Sequence, residues 1–130
     1  MDIKGISKES IVSVDECMCI DFLEGIKVLS TPRMLNAIEM LCRDMVRPYL
    51  QDGYDTVGYS VNLRHTAPTP AGMNIKIIAN VREVEGRRIE FSVEVYDDIE
   101  KVATAVHERY IINKERFIGR ARSKLNRSIE

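Results

Sequence analysis

The 130-residue chain is 45% hydrophobic and 30% charged, which is typical of a globular protein and predicts one domain, residues 1–130. A formal net charge of −1 gives no general attraction to nucleic acid, and no apolar run reaches the ~18 residues of a membrane span. The N-terminus lacks the apolar run of a signal peptide, so we expect a cytoplasmic protein.

The first strand is predicted over residues 11–20, which begin with β-branched residues in alternation. Residues 21–27 are predicted to be a short irregular segment. Thr31 followed by Pro32 then indicates a helix start, with the threonine hydroxyl as N-cap and the proline in the first helical position. Pro48 is expected to end or kink this helix.

Apolar residues on the predicted helix recur at spacings of three and four and form two adjacent stripes. One stripe contains Met34, Ile38, Leu41 and Met45, and the other contains Leu35, Cys42 and Val46. Because the two stripes cover a wide arc, we predict a largely buried helix. Glu39 falls inside this arc, and a carboxylate there must be paired, for example with an arginine, or hold its proton.

After Gly53 the apolar pattern changes to period two and predicts four consecutive antiparallel strands. In the first of these strands, one face carries Val57, Tyr59, Val61, Leu63 and His65, and the other carries Gly58, Ser60, Asn62 and Arg64. The later strands are predicted over residues 73–81, 89–95 and 102–112, with a hairpin turn at Glu85-Gly86. Residues 113–130 are predicted to form a polar, helical tail.

One strand, a long apolar helix and a meander of strands indicate an α+β fold, in which an antiparallel sheet wraps around one central helix. The edge strands of such a sheet stay unpaired in a monomer, and pairing across a two-fold axis is a common remedy, so we expect a homodimer. Three cysteines, at positions 17, 19 and 42, have neither disulfide nor zinc-site spacing. We expect reduced thiols, no metal and no other cofactor.

Three residues fit a simple core poorly and are candidates for chemistry: Thr31, Glu39 and His65. His65 continues an apolar strand face and precedes a turn stiffened by Pro68 and Pro70. It is either a core histidine with satisfied nitrogens or an acid and base at a cleft. Thr31 is either a simple N-cap or part of a helix N-terminus that binds an oxyanion or phosphate. Eight residues, ~12 Å along the helix, separate Thr31 from Glu39, so the two could flank one substrate without touching.

Two further features add to this group. Gly58 lies inside a strand, where a glycine either marks a bulge or lets a ligand approach the backbone. The run His107-Glu-Arg109 is either a solvent-facing ladder or a histidine and guanidinium at a cleft mouth, able to meet phosphate or carboxylate. Together these residues indicate a site for acyl transfer or proton transfer.

Seven motifs follow one another along the chain in a specific order and spacing. They are Leu29-Ser-Thr-Pro, Ile38-Glu39, Arg47-Pro-Tyr-Leu50, Val57-Gly58, His65-Thr-Ala-Pro-Thr-Pro-Ala-Gly72, Val84-Glu-Gly-Arg-Arg88 and His107-Glu-Arg109. In this order they resemble the hotdog-fold thioesterases of the fluoroacetyl-CoA thioesterase type, over about residues 28–118. The phenylalanine-rich lid of the fluoroacetyl-specific enzyme has no counterpart at residues 21–27, where Phe22 stands alone. The resemblance therefore does not extend to fluorine selectivity.

The resemblance implies a homodimeric hotdog protein, or a dimer paired further into a tetramer, that hydrolyses a small acyl-CoA thioester. It implies Thr31, Glu39 and His65 as catalytic residues, and Gly58 and Arg109 as substrate contacts. His65 would accept or relay a proton, Glu39 would activate water or attack the carbonyl, and Thr31 with nearby N–H groups would stabilise the oxyanion. Two alternatives stay open on this scaffold: a non-hydrolytic dimeric module that binds acyl-CoA or another metabolite, and a hotdog hydratase or dehydratase.

Overall fold

The computed structural model describes the backbone of residues 2–127 and the side chains of that range except those of Phe22 and Leu23. Its helices and strands are β1 (Ser7–Ser13), β2 (Cys19–Leu23), β3 (Ile26–Leu29), α1 (Thr31–Val46), β4 (Tyr54–His65), β5 (Asn74–Glu85), β6 (Arg88–Tyr96), β7 (Lys101–Asn113) and α2 (Lys114–Leu125). The last three residues of the predicted tail, 128–130, lie outside the described residues. No helix in residues 2–127 is long and apolar enough to cross a membrane.

A five-stranded antiparallel sheet, in the order β1-β5-β6-β7-β4, packs one face against α1, and β2 and β3 form a separate hairpin. The predicted α+β arrangement of an antiparallel sheet around a long helix is confirmed. The predicted meander is confirmed for β5, β6 and β7, but its first strand is misplaced, because β4 pairs with β7 and not with β5. The connection from His65 to Asn74 is too long for a tight hairpin, and it docks on β3 instead. There Leu29 N–H donates to the Thr69 carbonyl at 2.8 Å.

The N-terminal part of the chain departs most from the prediction. The strand predicted over residues 11–20 is wrong, because β1 ends at Ser13 and a short 3-10 helix, Glu16–Met18, interrupts the chain. The segment predicted to be irregular, residues 21–27, instead forms the β2–β3 hairpin. Its two turn residues, Glu24 and Gly25, have φ values of 53° and 75°, as a type I′ turn requires.

Helix α1 begins at Thr31, one residue earlier than predicted. Ser30 has extended backbone, and its side chain accepts the N–H of Arg33 at 3.3 Å, so the prediction of Thr31 as N-cap is wrong. The helix ends at Val46, and Pro48 lies in the short 3-10 helix that follows, as predicted. Six residues of α1 are buried: Met34, Ile38, Leu41, Cys42, Met45 and Val46. The opposite side is exposed, with Met40 46% exposed, so the helix is buried on one face and not around most of its circumference.

Strand β4 contains a bulge that changes which side chains face α1. Gly58 pairs with Arg109 but Ser60 pairs with Glu108, which leaves Tyr59 as the extra residue. Gly58 therefore faces α1 before the bulge, and Leu63 packs against the core after it. The prediction that Tyr59 shares a face with Leu63 is wrong, and so is the placement of Gly58 on the opposite face. Strict alternation fails here because the bulge inserts one residue.

The remaining strands fall within a few residues of their predicted bounds, and the Glu85-Gly86 turn between β5 and β6 is confirmed. Their buried apolar residues alternate along each strand and face α1: Ile75, Ile77, Ala79, Val81, Ile89, Phe91, Val93, Val95, Ala103 and Ala105. Helix α2 starts after Asn113, whose side chain accepts the N–H of Arg116 at 3.0 Å. The ends of β4 and β7 and the length of α1 thus frame the region that carries the candidate residues.

Candidate active site

Thr31 and His65 meet at the N-terminus of α1. Thr31 Oγ1 lies 2.8 Å from His65 Nδ1. Because Ser30 supplies the helix cap, the Thr31 hydroxyl is free to make this hydrogen bond. The turn after His65 is docked on β3, which fixes the end of β4 beside the helix start. Thr31 is therefore not a simple N-cap.

A cavity of about 270 Å³ opens beside the Thr31–His65 pair. Its other walls are mostly apolar and include Ile20, Val28, Leu29, Ala67 and Pro68. A pocket with apolar walls and one hydrogen-bonded polar pair is the usual form of a small-molecule site. Glu39 is not among the residues that line it.

The surroundings of His65 favour the neutral form of its ring. Burial lowers the pKa of His65, and the backbone of Ala67 opposes this effect only in part. Its Nε2 is buried and has no hydrogen-bond partner among the described residues. The expectation of a core histidine with both nitrogens satisfied is therefore wrong. Nδ1 either accepts from the Thr31 hydroxyl or, when it carries the ring proton, donates to Thr31 Oγ1 and leaves the hydroxyl proton free for another acceptor.

A second group forms two turns further along α1. Glu39 Oε2 lies 3.5 Å from Arg109 Nη1, so the predicted pairing of this carboxylate with an arginine is confirmed. The Glu39 side chain is still 40% exposed. Gly58 faces it so closely that an added Cβ would lie 2.9 Å from Glu39 Oε2. Gly58 thus both adjoins the bulge and permits a close approach, so the two readings of this glycine are compatible.

Arg109 and His107 are buried in the sheet, with 4% and 1% of their surface exposed. Arg109 Nε donates to Thr56 Oγ1 at 2.8 Å, and its Nη2 donates to the Thr56 carbonyl at 2.9 Å. Burial lowers the pKa of Arg109, and the Glu39 carboxylate opposes that shift. The reading of this run as a solvent-facing ladder is wrong, and His107 does not lie at a cleft mouth. Arg109, however, lines a cavity of about 370 Å³ together with Gly58 and meets the Glu39 carboxylate, in agreement with the reading of a guanidinium at a cleft. The histidine and the arginine continue the inward-facing positions of β7, and Glu108 between them faces outward and bonds Ser60 and Arg88.

Thr56 is the functional residue that the sequence analysis missed. It is buried on β4, where its hydroxyl and carbonyl both accept from Arg109. The signal was its position two residues before Gly58, which puts the two side chains on one face of a strand. The predicted alternation put Gly58 on the face opposite the apolar side chains of the strand, because the bulge was not predicted.

The structure brings the candidates together in two groups. Thr31 joins His65, and Glu39 joins Gly58 and Arg109. Within residues 2–127, no hydrogen bond or ion pair links one group to the other. At 1.5 Å per residue, about 12 Å of α1 separates Thr31 from Glu39. In the described part of the chain, no cluster of three or more metal-ligating side chains is placed to hold a metal ion.

The buried thiol of Cys42 lies one turn after Glu39 on α1 and has no described hydrogen-bond partner. Burial raises the pKa of Cys42 to about 12, and Arg109 opposes this rise. A thiol of this kind stays protonated and is a poor nucleophile at neutral pH. Cys42 is therefore a packing residue beneath the site and not a candidate nucleophile.

Comparison with known proteins identifies the family. The family described as fluoroacetyl-CoA-specific thioesterase matches residues 12–115. The chain belongs to this family. A fluoroacetyl-CoA thioesterase of Streptantibioticus cattleyicolor is 34% identical over 104 residues, which cover 80% of this chain and 75% of the relative.

Solved structures agree with this membership in the fluoroacetyl-CoA-specific thioesterase family. A structure of the fluoroacetyl-CoA thioesterase FlK matches with a TM-score of 0.87 at 29% identity, covering 93% of this chain and 96% of that chain. A hot-dog-like protein from Thermanaerovibrio acidaminovorans matches with a TM-score of 0.88 at 21% identity, covering 95% and 97% of the two chains, which concerns the fold alone. The predicted hotdog fold is confirmed. The Phe22 side chain, on which the comparison of lids depended, lies outside the described side chains.

Proposed function

We propose that this protein hydrolyses the thioester of a small acyl-CoA. Thr31, Glu39 and His65 are its catalytic residues, and Gly58 and Arg109 contact the substrate. The observation that carries the proposal is the 2.8 Å contact of Thr31 Oγ1 with His65 Nδ1 beside a small apolar cavity. Membership in a thioesterase family supports the same chemistry.

The chemistry assigns one task to each group. Neutral His65 accepts or relays a proton, because its pKa is lowered by burial and the ring is free to act as a base. Glu39 activates water or attacks the thioester carbonyl. Thr31 and the backbone N–H groups at the start of α1 stabilise the oxyanion, where the helix dipole favours negative charge. The acyl carbon bonds to the oxygen of water and the C–S bond breaks. The departing thiolate takes up a proton and is released as free CoA.

A two-fold dimer would bring the two residue groups together. Strand β4 is an edge of the sheet, with Tyr59 66% exposed and Val61 37% exposed. If two copies of β4 pair antiparallel about an axis near Val61, Gly58 of one protomer lies close to the partner's His65. The Glu39 group of one protomer then faces the Thr31–His65 group of the other. We therefore propose a homodimer with two composite sites, which a further pairing into tetramers would leave intact.

The cavity and the thiols suggest the substrate class and the compartment. A cavity of about 270 Å³ with apolar walls supports a short acyl group on a CoA carrier. Cys17, Cys19 and Cys42 are all free thiols, which supports a reducing compartment such as the cytoplasm. We propose that residues 1–130 act as one catalytic domain.

Release of free thiol from a panel of short and branched acyl-CoA thioesters tests the function. Thr31→Val removes the hydroxyl that meets His65, and Thr31→Ser keeps it, so the first variant should lose kcat and the second should retain most of it. His65→Ala should also lose kcat, because it removes the base. No thiol release by wild type, together with saturable binding of acyl-CoA, would instead support the non-hydrolytic module. Water addition to an enoyl-CoA without thiol release would support the hydratase.

A further inference from the structure

We propose that His107 is a positioning residue that holds the Glu39 carboxylate in place through Arg109, an inference that rests on the proposed thioesterase function. Among the described residues, His107 makes no hydrogen bond to Thr31 or His65, and it lies in the interior of the sheet, stacked on Phe91. Its ring joins the β4 backbone on one side to the Arg109 guanidinium on the other. Its role is therefore to fix a neighbour of the carboxylate and not to exchange protons with substrate.

The hydrogen bonds of His107 determine its tautomer. His107 Nδ1 lies 2.8 Å from the carbonyl oxygen of Ser60, and a carbonyl can only accept, so Nδ1 carries the ring proton. Nε2 then has a free lone pair, and Arg109 Nη1 donates to it at 3.2 Å. A second ring proton would point at the guanidinium, which has donors only. Burial is the largest cause of the lowered pKa of His107, and the positive charge of the neighbouring Arg109 lowers it further. Both effects agree with a ring that stays neutral.

The guanidinium of Arg109 is held on three sides by this arrangement. Thr56 accepts from Nε and Nη2, and His107 accepts from Nη1. The same Nη1 lies 3.5 Å from Glu39 Oε2. Among the described residues, Arg109 is the only hydrogen-bonding or charged partner of the Glu39 carboxylate. The position of that carboxylate thus depends on the orientation of Arg109 Nη1, which Thr56 fixes through the other guanidinium nitrogens and His107 fixes directly.

The β-bulge explains why a histidine stands here. Ser60 follows the extra residue Tyr59, where the ladder between β4 and β7 is disrupted. Its carbonyl accepts from the His107 side chain, so the histidine both satisfies the irregular backbone and presents an acceptor to Arg109. A purely apolar residue would fill the space but would leave the inner face of Arg109 without an acceptor.

A matched pair of variants separates positioning from packing. In His107→Asn the amide can still donate to Ser60 but is too short to reach Arg109. In His107→Gln the longer side chain brings an acceptor oxygen to Arg109. We expect His107→Asn to lower kcat about 10- to 100-fold with KM nearly unchanged, because a misplacement of about 1 Å costs up to 10²-fold. We expect His107→Gln to stay within about 3-fold of wild type. Glu108→Gln, on the outward face of the same strand, is the control and should keep the wild-type kcat.

Equal kcat values for the two His107 variants, or an effect on KM alone, would overturn the positioning role. The proposed function would still be supported in that case if the wild-type protein hydrolyses the thioester. A wild-type protein that releases no thiol would overturn both. If the variants do not fold, 15N NMR of the wild-type histidines decides the question. A His107 ring protonated at Nδ1 and unchanged from pH 5.5 to 8 supports the proposal, whereas the Nε2–H tautomer or a titrating ring refutes it.

Discussion

Replacing Gly58 with alanine adds one methyl group directly against the Glu39 carboxylate. The new Cβ would lie 2.9 Å from Glu39 Oε2 and 3.7 Å from Arg109 Nη1, whereas ordinary contacts begin at 3.4 Å. The carboxylate must therefore retreat by at least about 0.5 Å, the difference between 3.4 and 2.9 Å. Since the Glu39 side chain is 40% exposed, it can turn toward solvent with little resistance from its neighbours. We therefore expect the strain to move the Glu39 carboxylate and to leave the sheet in place.

The expected result is a loss of kcat without a loss of fold. A displacement of about 0.5–1 Å corresponds to about a 10- to 100-fold lower kcat, or about 1.4–2.7 kcal/mol in the barrier. The free energy of unfolding should change by less than about 1 kcal/mol, because alanine also restricts the unfolded chain. Steady-state thiol release and thermal unfolding measure the two quantities on the same protein.

Gly119→Ala is the matched control, since a Cβ added at Gly119 in α2 meets nothing within 4 Å. It should leave kcat unchanged. A Gly58→Ala variant with wild-type kcat would refute the role of the close approach to Glu39. A variant that fails to fold would show that the strain falls on the backbone and not on the carboxylate.

Three further outcomes follow from the buried groups. Burial lowers the pKa of His65 and His107, so below about pH 6.5 the unfolded chain binds protons before the native state does. The thermal unfolding midpoint should therefore fall between pH 7 and pH 5.5. A midpoint that does not change over this range would contradict the lowered pKa values. Under native conditions, iodoacetamide should label the exposed Cys17 quickly and the buried Cys42 only after unfolding, as peptide mass spectrometry would show. Arg43 on α1 donates two hydrogen bonds to the Asp55 carboxylate and lowers its pKa to about 2. The stability that this pair contributes is therefore present above pH 4 and is lost as the pH falls toward 2. Asp55→Asn should cost about 1–2 kcal/mol at pH 7 in chemical denaturation and flatten that acid limb, whereas an unchanged midpoint would exclude a stabilising ion pair.

Periodicity predicted the elements that repeat regularly. Helix α1 packs against strands β5, β6 and β7, and the side chains at this contact are buried. They must be apolar, so the helix shows apolar residues at spacings of three and four and the strands show them at every second position. The order of the strands was not predictable from the same signal, because alternation says which side is buried and not which strand is the neighbour. The turn after His65 docks on β3, and β4 pairs with β7.

Irregular backbone accounts for the other errors. The Glu24-Gly25 turn and the bulge at Tyr59 depend on one or two dihedral angles, which a residue pattern records only weakly. The bulge reversed the predicted face of Gly58 and hid Thr56. The polar alternation of His107-Glu-Arg109 left a surface ladder open as one of two readings, although His107 and Arg109 occupy interior positions of β7. Glu39 was found because a charge inside an apolar helical stripe needs a partner, and that partner proved to be Arg109.

Hydrolysis by the Glu39→Gln variant tests the proposed site most directly. Glutamine keeps the size of the side chain and removes the charge that pairs with Arg109 and that the proposed mechanism requires at the thioester. With a short acyl-CoA that wild type hydrolyses, we predict a kcat at least about 100-fold lower and a thermal midpoint close to wild type. A Glu39→Gln variant that releases thiol at the wild-type rate would contradict the assignment of Glu39 to the chemistry.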